Sequence, residues 1–215
     1  MPPTSSPWMR VFEAASIGAA ALLAAHLAWR FRGLASAFPV ALAGGTVVGV
    51  FAADLVTGTV HWLCDRFGSE RTPLFGPYLI AGFREHHRDP AAIGRHGFLE
   101  RSGANALSVV PVLALATWTV GVLPGPAAAA LLGGSLALGV YVALTNEIHL
   151  QCHRSDPAPI ARVLQRLRLV LPPDEHARHH QGGHDRAYCI ATGWSNALLD
   201  GAGVFPGLER RLRRR

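Results

Sequence analysis

The chain contains no lysine: all 20 of its basic residues are arginines. Enzymes that depend on a lysine Schiff base or a phosphate-loop lysine are therefore excluded. The three cysteines, Cys64, Cys152 and Cys189, include no C-x-x-C pair, which argues against a disulfide-stapled secreted fold, a zinc ribbon and an iron–sulfur ferredoxin. Charge is scarce too: 16% of the 215 residues are charged, half are hydrophobic and the mean hydropathy is +0.24. This composition is too apolar for a soluble domain of this size.

Long runs without charge indicate membrane helices. No Asp, Glu or Arg occurs between Ser102 and Asn146, and a bilayer core is spanned by about 20 apolar residues, so this run is long enough to cross twice. Two prolines and a glycine at residues 123–126 interrupt it. We predict a helical hairpin of Ala106–Val122 and Ala127–Thr145.

Two further spans precede this hairpin. An apolar stretch from Gly33 to Cys64 contains one acidic residue, Asp54, and an alanine-rich stretch covers Ala14–Trp29. The latter is expected to be a retained span rather than a signal peptide, because Glu13 and a single arginine precede it. The predicted fold is all-α: a multi-pass membrane helical bundle of four spans.

We expect one membrane domain over residues 1–215. Residues 1–49 contribute the first span and the start of the second, and residues 208–215 form an arginine-rich tail. Four spans place both termini on one side, with 18 arginines on that side and 2, Arg30 and Arg32, opposite. The positive-inside rule assigns the arginine-rich side to the cytosol.

Histidine is abundant, with eleven residues, and ten of them fall at the predicted cytosolic side. These ten are His61, His86, His87, His96, His149, His153, His176, His179, His180 and His184. His26, near the outer end of the first span, is expected to have an interfacial or packing role. So many imidazoles exceed what one four-coordinate ion needs, so the sequence predicts a cytosolic cap that holds two metals.

The spacing of these residues favours shared ligation. His149 and His153 are four residues apart, which places both on one face of a helix. His176, His179 and His180 follow the same rule, on a helix for which Asp174 is the predicted cap. The adjacent pair His86–His87 diverges on a helix, so a kinked loop or two neighbouring ions would be needed to use both.

Asp54, His61 and Asp65 share one face of the second span. A carboxylate one turn from an imidazole is either a ligand or a group that fixes the ring's tautomer. Asp54, inside an apolar span, is either functional or an interfacial group held by Thr57 or by loop arginines. Cys64 and Cys152 are left outside the ligand set, because a free buried thiol usually acts as a small hydrophobe.

Several motifs, in one order along the chain, resemble the Kua or plasmanylethanolamine desaturase family of membrane lipid desaturases. The similarity covers roughly residues 50–200. The motifs are ADLVTGTVHW at Ala53–Trp62, FREHHRDP at Phe83–Pro90, Arg95–His96, TNEIH at Thr145–His149 with His153, HARHH at His176–His180, and YCIATGW at Tyr188–Trp194.

The resemblance implies a site of two iron ions (Fe2+/Fe3+) that uses O2 as co-substrate to remove two hydrogens from a lipid chain. The iron ligands that it implies are His61, His86, His87, His149, His153, His176, His179 and His180, with His96 and His184 as further metal-site histidines. Asp65 matches an acidic position and is the implied catalytic residue. The chain departs from the family pattern at Gly97, Arg168 and Glu175, which affects the expected positioning of substrate rather than the ligand core.

The implied reaction is conversion of a 1-O-alkyl ether phospholipid to the vinyl ether of a plasmalogen. Desaturation of a fatty-acyl chain on a glycerolipid, hydrolysis or hydroxylation at a His-rich metal site, and a non-enzymatic metal carrier or sensor remain as alternatives. The chain lacks a haem-attachment motif, a dinucleotide-binding motif and a cluster-binding cysteine set. A separate electron donor is therefore expected, either cytochrome b5-like or a ferredoxin with its reductase, and no nucleic-acid partner.

Overall fold

The computed structural model describes residues 6–73 and 75–214, apart from the side chain of Tyr78, and its regular secondary structure there is entirely helical. The α-helices of these residues are α1 (Pro7–Arg30), α2 (Gly33–Ala37), α3 (Pro39–Arg66), α4 (Ala81–Arg88), α5 (Phe98–Val120), α6 (Gly125–His153), α7 (Pro159–Arg166), α8 (Pro173–His180), α9 (Asn196–Gly201) and α10 (Val204–Leu212). A π-helical turn at Gly76–Ile80 precedes α4, and a 3-10 helix at Pro90–Arg95 follows it. The all-α prediction is confirmed.

Four of these helices, α1, α3, α5 and α6, are long and apolar enough to cross a membrane, as predicted. They leave large apolar side chains uncovered, among them Leu22, Val40 and Trp118, which are 73%, 85% and 68% exposed. Such outward-facing apolar surface suits contact with lipid. The chain is an integral membrane protein.

Local sequence explains where the spans begin and end. Pro7 occupies the first turn of α1, where its missing N–H is no loss, and the Ser6 hydroxyl accepts from the backbone N–H of Met9 at 3.3 Å. Pro124 stands between α5 and α6, at the predicted break. The fourth span was predicted to end at Thr145, but α6 continues to His153, because Asn146 and Glu147 are polar without being helix breakers.

The chain packs as two compact units: residues 1–53 with 96–147, and residues 54–95 with 148–215. The expected single domain over residues 1–215 stays a prediction. In the first unit, glycines of α3 lie against the α6 backbone. A Cβ at Gly45 or Gly49 would come within 3 Å of backbone atoms of Ala130 or Gly134, so these glycines permit close helix packing. Gly44 faces open space.

The second unit contains α4, α7 to α10 and the ends of α3 and α6. Its aromatic core is formed by Trp62, Tyr188 and Phe205. Glu209 of α10 accepts from the Arg66 guanidinium at 2.8 and 3.0 Å, which fastens the last helix to the end of α3. Arg213 of the predicted tail donates to the same carboxylate at 2.8 Å, and Arg215 lies outside the described residues.

The start of α8 differs from the prediction. Pro172 occupies the N-cap position, and no side chain caps the helix there. Asp174 lies within the first turn instead and pairs with Arg168 at 3.1 Å. Because Pro172 holds the cap position and Pro173 is the first helical residue, Asp174 comes two residues too late to serve as a cap.

Candidate metal centre

Among the described residues of the second unit, nine side chains converge in two groups of possible metal ligands. The five-histidine group consists of His86, His149, His153, His176 and His180. The aspartate group consists of His61, Asp65, His87 and His179. Within each group, every residue offers one ligand atom, and these atoms all lie within 4.8 Å of one another. Each group is therefore compact enough to surround one ion.

Two membrane helices contribute residue pairs at helical spacing. α3 presents His61 and Asp65 one turn apart, with the His61 Nε2 3.4 Å from an Asp65 carboxylate oxygen. α6 presents His149 and His153 in the same way, with their Nε2 atoms 3.3 Å apart. The extension of α6 beyond Thr145 is what places both histidines on a rigid helix.

Two short helices divide their histidines between the groups. On α4, His86 belongs to the five-histidine group and its neighbour His87 to the aspartate group. On α8, His176 and His180 belong to the first group and His179 to the second. Neighbours on a helix point about 100° apart, so adjacent histidines face two different ion positions. The sequence left open either a kinked loop or two neighbouring ions for His86–His87. The two residues lie on a helix and belong to different groups, which fits two neighbouring ions.

The imidazole contacts in the five-histidine group cannot all be hydrogen bonds. The His176 Nε2 is 2.8 Å from the Nε2 atoms of both His149 and His153, which are themselves 3.3 Å apart. In a neutral imidazole, each nitrogen either carries a proton or offers a lone pair. Among three nitrogens at least two are of the same kind, so at least one contact joins two donors or two acceptors and is not a hydrogen bond. A cation that accepts all three lone pairs resolves this conflict.

The aspartate group is oriented from behind by backbone carbonyls. The His61 Nδ1 lies 3.1 Å from the Tyr188 carbonyl oxygen, and the His179 Nδ1 lies 2.8 Å from the Arg186 carbonyl oxygen. A carbonyl can only accept, so both Nδ1 atoms carry the proton and both Nε2 atoms offer a lone pair. This arrangement is typical of metal-binding histidines. The two Nε2 atoms face the carboxylate of Asp65, at 3.4 and 3.5 Å.

Buried polar atoms without hydrogen-bond partners mark both groups. They are the His61 Nε2, both carboxylate oxygens of Asp65, both ring nitrogens of His86 and the Nδ1 of His176. A buried acceptor without a partner costs about 1–3 kcal/mol. Bound cations would offset this cost for the atoms that face the ion positions. The residues therefore fit two metal ions.

Burial keeps the imidazoles on the short helices α4 and α8 neutral. Desolvation, with repulsion between neighbouring rings, lowers the pKa of His86 and of His87 to about 2 and that of His180 to about 3. The same causes lower the pKa of His176 well below its ordinary value. At neutral pH these rings are uncharged, which is the form that binds metal.

The donor set consists of imidazole nitrogens and one carboxylate. Cys64, Cys152 and Cys189 are free thiols, and neither group includes any of them. Nitrogen and oxygen donors without thiolate suit iron, and also zinc, copper or nickel, rather than a soft-metal or cluster site.

Asp54 has a structural role that the sequence did not reveal. One carboxylate oxygen accepts from the backbone N–H groups of Thr192 and Gly193 at 2.8 and 3.1 Å. The other accepts from the Thr192 hydroxyl at 2.9 Å and from the Ser195 N–H at 3.1 Å. The Thr57 hydroxyl donates to the Asp54 carbonyl, not to its carboxylate. Asp54 thus fastens the turn at residues 192–195 to α3.

His184 and His96 belong to neither group among the described residues. The His184 ring stacks on that of His87, with centroids 4.1 Å apart and a 17° angle between the planes. His96 lies in the first unit, where its Nδ1 is 2.9 Å from a carboxylate oxygen of Glu100. Metal ligation by these two histidines stays a prediction.

Sequence reasoning missed the supporting segment that contains the two carbonyls. Asn196 fixes this segment by accepting from the Cys189 N–H at 2.8 Å and donating to the Cys189 carbonyl at 3.1 Å. No pattern of side chains points to a backbone carbonyl. The one sequence signal for this segment was the motif at Tyr188–Trp194. It is part of the family resemblance, but the resemblance implies no function for it.

The chain is similar to named desaturases. Residues 50–215 match the model of the lipid desaturase domain. A plasmanylethanolamine desaturase of Myxococcus xanthus is 38% identical over 205 residues, which are 95% of this chain and 72% of the relative. Plasmanylethanolamine desaturase 1 of Mus musculus is 36% identical over 182 residues, covering 77% of this chain and 62% of the relative.

Fatty acid desaturase 4 of the Arabidopsis thaliana chloroplast is also similar, with 32% identity over 174 residues, 79% of this chain and 50% of the relative. No solved structure matches the chain. The domain match covers more than half of the chain and includes every residue of the two ligand groups. The chain therefore belongs to the lipid desaturase family and is a membrane enzyme of the oxidoreductase class.

Proposed function

We propose that the chain converts a 1-O-alkyl ether phospholipid, plasmanylethanolamine, to the vinyl ether of a plasmalogen, with two iron ions and O2. The observation that carries this proposal is the pair of ligand groups, whose buried nitrogen and oxygen atoms include several without a hydrogen-bond partner. Similarity to two plasmanylethanolamine desaturases supports the choice of substrate.

One iron would be held by the five-histidine group and the other by the aspartate group. When bound, iron supplies the activation of O2 that an inert alkyl C–H bond requires, since acid–base side chains cannot break such a bond. The protein positions the ions and excludes water. The full burial of His61 and His179 supports a site that excludes water.

Asp65, the predicted catalytic residue, takes part as a ligand in this proposal. Its Oδ2 lies 3.4 and 3.5 Å from the Nε2 atoms of His61 and His179, and its Oδ1 lies 3.6 Å from the Nδ1 of His87. It is the one carboxylate among the nine side chains of the two groups. We expect this charge to lower the net charge of its own ion site relative to the other.

We propose that the site lies at the cytosolic membrane face, on the side that carries 18 of the 20 arginines. Desaturation by O2 consumes two electrons, which must come from outside the chain. A separate donor protein, cytochrome b5-like or a ferredoxin with its reductase, would supply them. The positive charge of this face favours an acidic donor surface.

A second candidate is desaturation of a fatty-acyl chain on a glycerolipid. It is favoured by the similarity to fatty acid desaturase 4 of Arabidopsis thaliana. The ligand chemistry is the same in both cases, so the position of the new double bond distinguishes them.

The test is expression of the full chain in a host that lacks plasmalogens but supplies an electron donor. The host is fed an alkylglycerol, and its ether lipids are measured by mass spectrometry before and after mild acid, which cleaves vinyl ethers. We expect new ether lipids, lighter by two hydrogens, that disappear in acid. They should be absent with His179→Ala and present with the matched control His26→Ala, whose histidine is exposed in α1.

Acid-stable products with the double bond in an acyl chain would favour the second candidate. Unchanged lipids, with iron bound and a competent donor present, would contradict both. Full turnover by the His179→Ala variant would contradict the ligand assignment.

A further inference from the structure

The short helix α7 exposes an apolar stripe and lies close in sequence to the span α6. It begins after the five residues that follow the span α6. Ile160 and Val163 of the helix are 66% and 48% exposed, and Leu167, directly after its last residue, is 62% exposed. Their spacing of three and four residues aligns them along one side of the helix. This side is the reverse of what a soluble helix presents to water.

The helix is attached through a different face. Ala161 and Gln165 are buried, and the Gln165 side-chain amide donates to the Cys152 sulfur at 3.8 Å. These residues lie roughly 100° or more around the helix from the apolar stripe. The stripe is therefore not the face by which α7 packs on the second unit.

A third face is basic. Arg162 and Arg166 lie one turn apart on α7, and with Arg168 they line a cleft of about 390 Å³ that contains one carboxylate, Asp174. Arg162 pairs with exposed Asp156 at 3.1 Å, and Arg168 pairs with Asp174 at 3.1 Å. Arg166 makes no ion pair with any described residue. The cleft therefore holds excess positive charge.

We propose that α7 lies in the plane of the membrane interface, with its apolar stripe among the acyl chains, and that the arginine cleft binds the phosphate of an anionic phospholipid. Three observations support a lipid occupant: the proximity in sequence to a span, the exposed apolar stripe, and the adjacent guanidinium groups. Arginine pairs with phosphate through two parallel hydrogen bonds, and its stem can extend along apolar surface. A basic face beside an apolar face is typical of helices that lie on membranes.

An acidic protein would also be attracted to the arginines. It would not explain why three large apolar side chains lie uncovered beside them, since an acidic protein surface gains nothing from that stripe. The proposal concerns how the protein sits on lipid, and it holds whichever lipid is the substrate.

The position of the stripe is tested with a fluorophore on Val163→Cys in the full chain, reconstituted in bilayers. Wild-type protein measures the background from the native cysteines. The matched control is Ser155→Cys, an exposed polar position in the loop before α7. We expect acyl-brominated lipids to quench the label at 163 and aqueous iodide to quench the label at 155. Quenching of the label at 163 by iodide alone, or by neither agent, would contradict the proposal.

The cleft is tested by retention of phosphatidylglycerol, measured by native mass spectrometry. Arg166→Gln should weaken retention about five-fold, the effect of one interfacial arginine. The charge-matched control Arg211→Gln, at an exposed position of α10, should leave it unchanged. An equal loss in both variants would indicate attraction by net charge alone and would contradict the site.

Inorganic phosphate distinguishes the two sources of the anion. We expect it not to displace phosphatidylglycerol, because the free ion lacks the acyl chains that the stripe contacts. If inorganic phosphate displaced phosphatidylglycerol from the wild type at concentrations that displace none from the Arg166→Gln variant, the cleft would be a site for soluble phosphate. This result would overturn the lipid assignment. Unchanged iron content in each variant shows that the fold is intact.

Discussion

The two ligand groups differ in what holds their side chains in place. In the aspartate group, His61 and His179 are oriented by backbone carbonyls at 3.1 and 2.8 Å. In the five-histidine group, both nitrogens of His86 and the Nδ1 of His176 are buried without a partner. Two of the four side chains of the aspartate group are therefore oriented by the protein before any ion binds. The five-histidine group depends on the ion to resolve its contacts.

The groups differ in charge as well. The five-histidine group offers only neutral donors, whereas Asp65 gives the other group a carboxylate. A charged, preorganised site binds a cation more tightly than a neutral one of similar size. We therefore expect the aspartate group to bind its ion more firmly.

Loss of a ligand should have the largest effect. Alanine at position 176 removes the nitrogen that contacts His149, His153 and His180 within 2.9 Å, and alanine at position 179 removes a ligand of the other group. Each variant should lose one iron per chain and at least about 100-fold in turnover, since even outer partners of ligands account for about 10–100-fold. Iron analysis and ether-lipid turnover measure this. If either variant kept two irons and normal turnover, the assignment of its histidine as an iron ligand would be wrong.

Asp54→Ala should act through stability. It leaves three backbone N–H groups and one hydroxyl unsatisfied, at about 1–3 kcal/mol each, so we expect the free energy of unfolding to fall by at least about 3 kcal/mol. The freed turn adjoins the segment that contains the two carbonyls, so iron should be lost from the aspartate group first. Denaturant unfolding in detergent measures the change. Exposed Asp156→Ala, the control, should change it by less than about 0.5 kcal/mol.

Asp65→Asn removes the difference in charge while keeping the side-chain shape. We expect the affinity of the aspartate group for iron to fall about 10-fold or more, and that of the five-histidine group to stay the same. Iron retained at graded chelator concentrations should show the two groups emptying in two steps in the wild type and at similar concentrations in the variant. Two unchanged steps would show that the carboxylate does not contribute to retention.

Tyr188→Phe should have the smallest effect. The Tyr188 hydroxyl donates to the His184 carbonyl at 2.9 Å, and its loss removes one hydrogen bond of about 1 kcal/mol. The Tyr188 carbonyl that orients His61 remains, so iron content and turnover should change by less than about two-fold. Thermal unfolding and turnover measure both. A large loss of turnover at normal iron content would instead give the hydroxyl a part in the reaction.

The membrane part of the fold was predictable because its signals are local. Charge-free runs gave four spans, and the prolines at residues 123–126 gave the break between α5 and α6. Spacing of four residues also gave the pair His149 and His153. The helix ends were misjudged: α1 begins at Pro7 rather than Ala14, α5 begins at Phe98 rather than Ala106, and α6 ends at His153 rather than Thr145. Hydropathy marks where a span leaves the membrane and not where its helix ends.

The division of the histidines into two groups was not predictable from spacing. His176 and His179 share a helix yet belong to different groups, which only the packing of α8 against α3 and α6 decides. The role of Asp54 was hidden for a similar reason, since its partners follow 138 to 141 residues later in the chain. Contacts over such distances leave no periodic pattern in the sequence.

The adjacency of His86 and His87 has a consequence for the genetics of this enzyme. A single peptide unit connects one residue from each group, and consecutive Cα atoms are fixed about 3.8 Å apart. Insertion or deletion of one residue between Ala81 and His86 would rotate both rings together by about 100°. Deletion scanning should therefore find α4 intolerant of any change in length, while the exposed residues 154–156 after α6 tolerate it. Natural relatives of this chain should likewise carry insertions and deletions outside α4 and not within it.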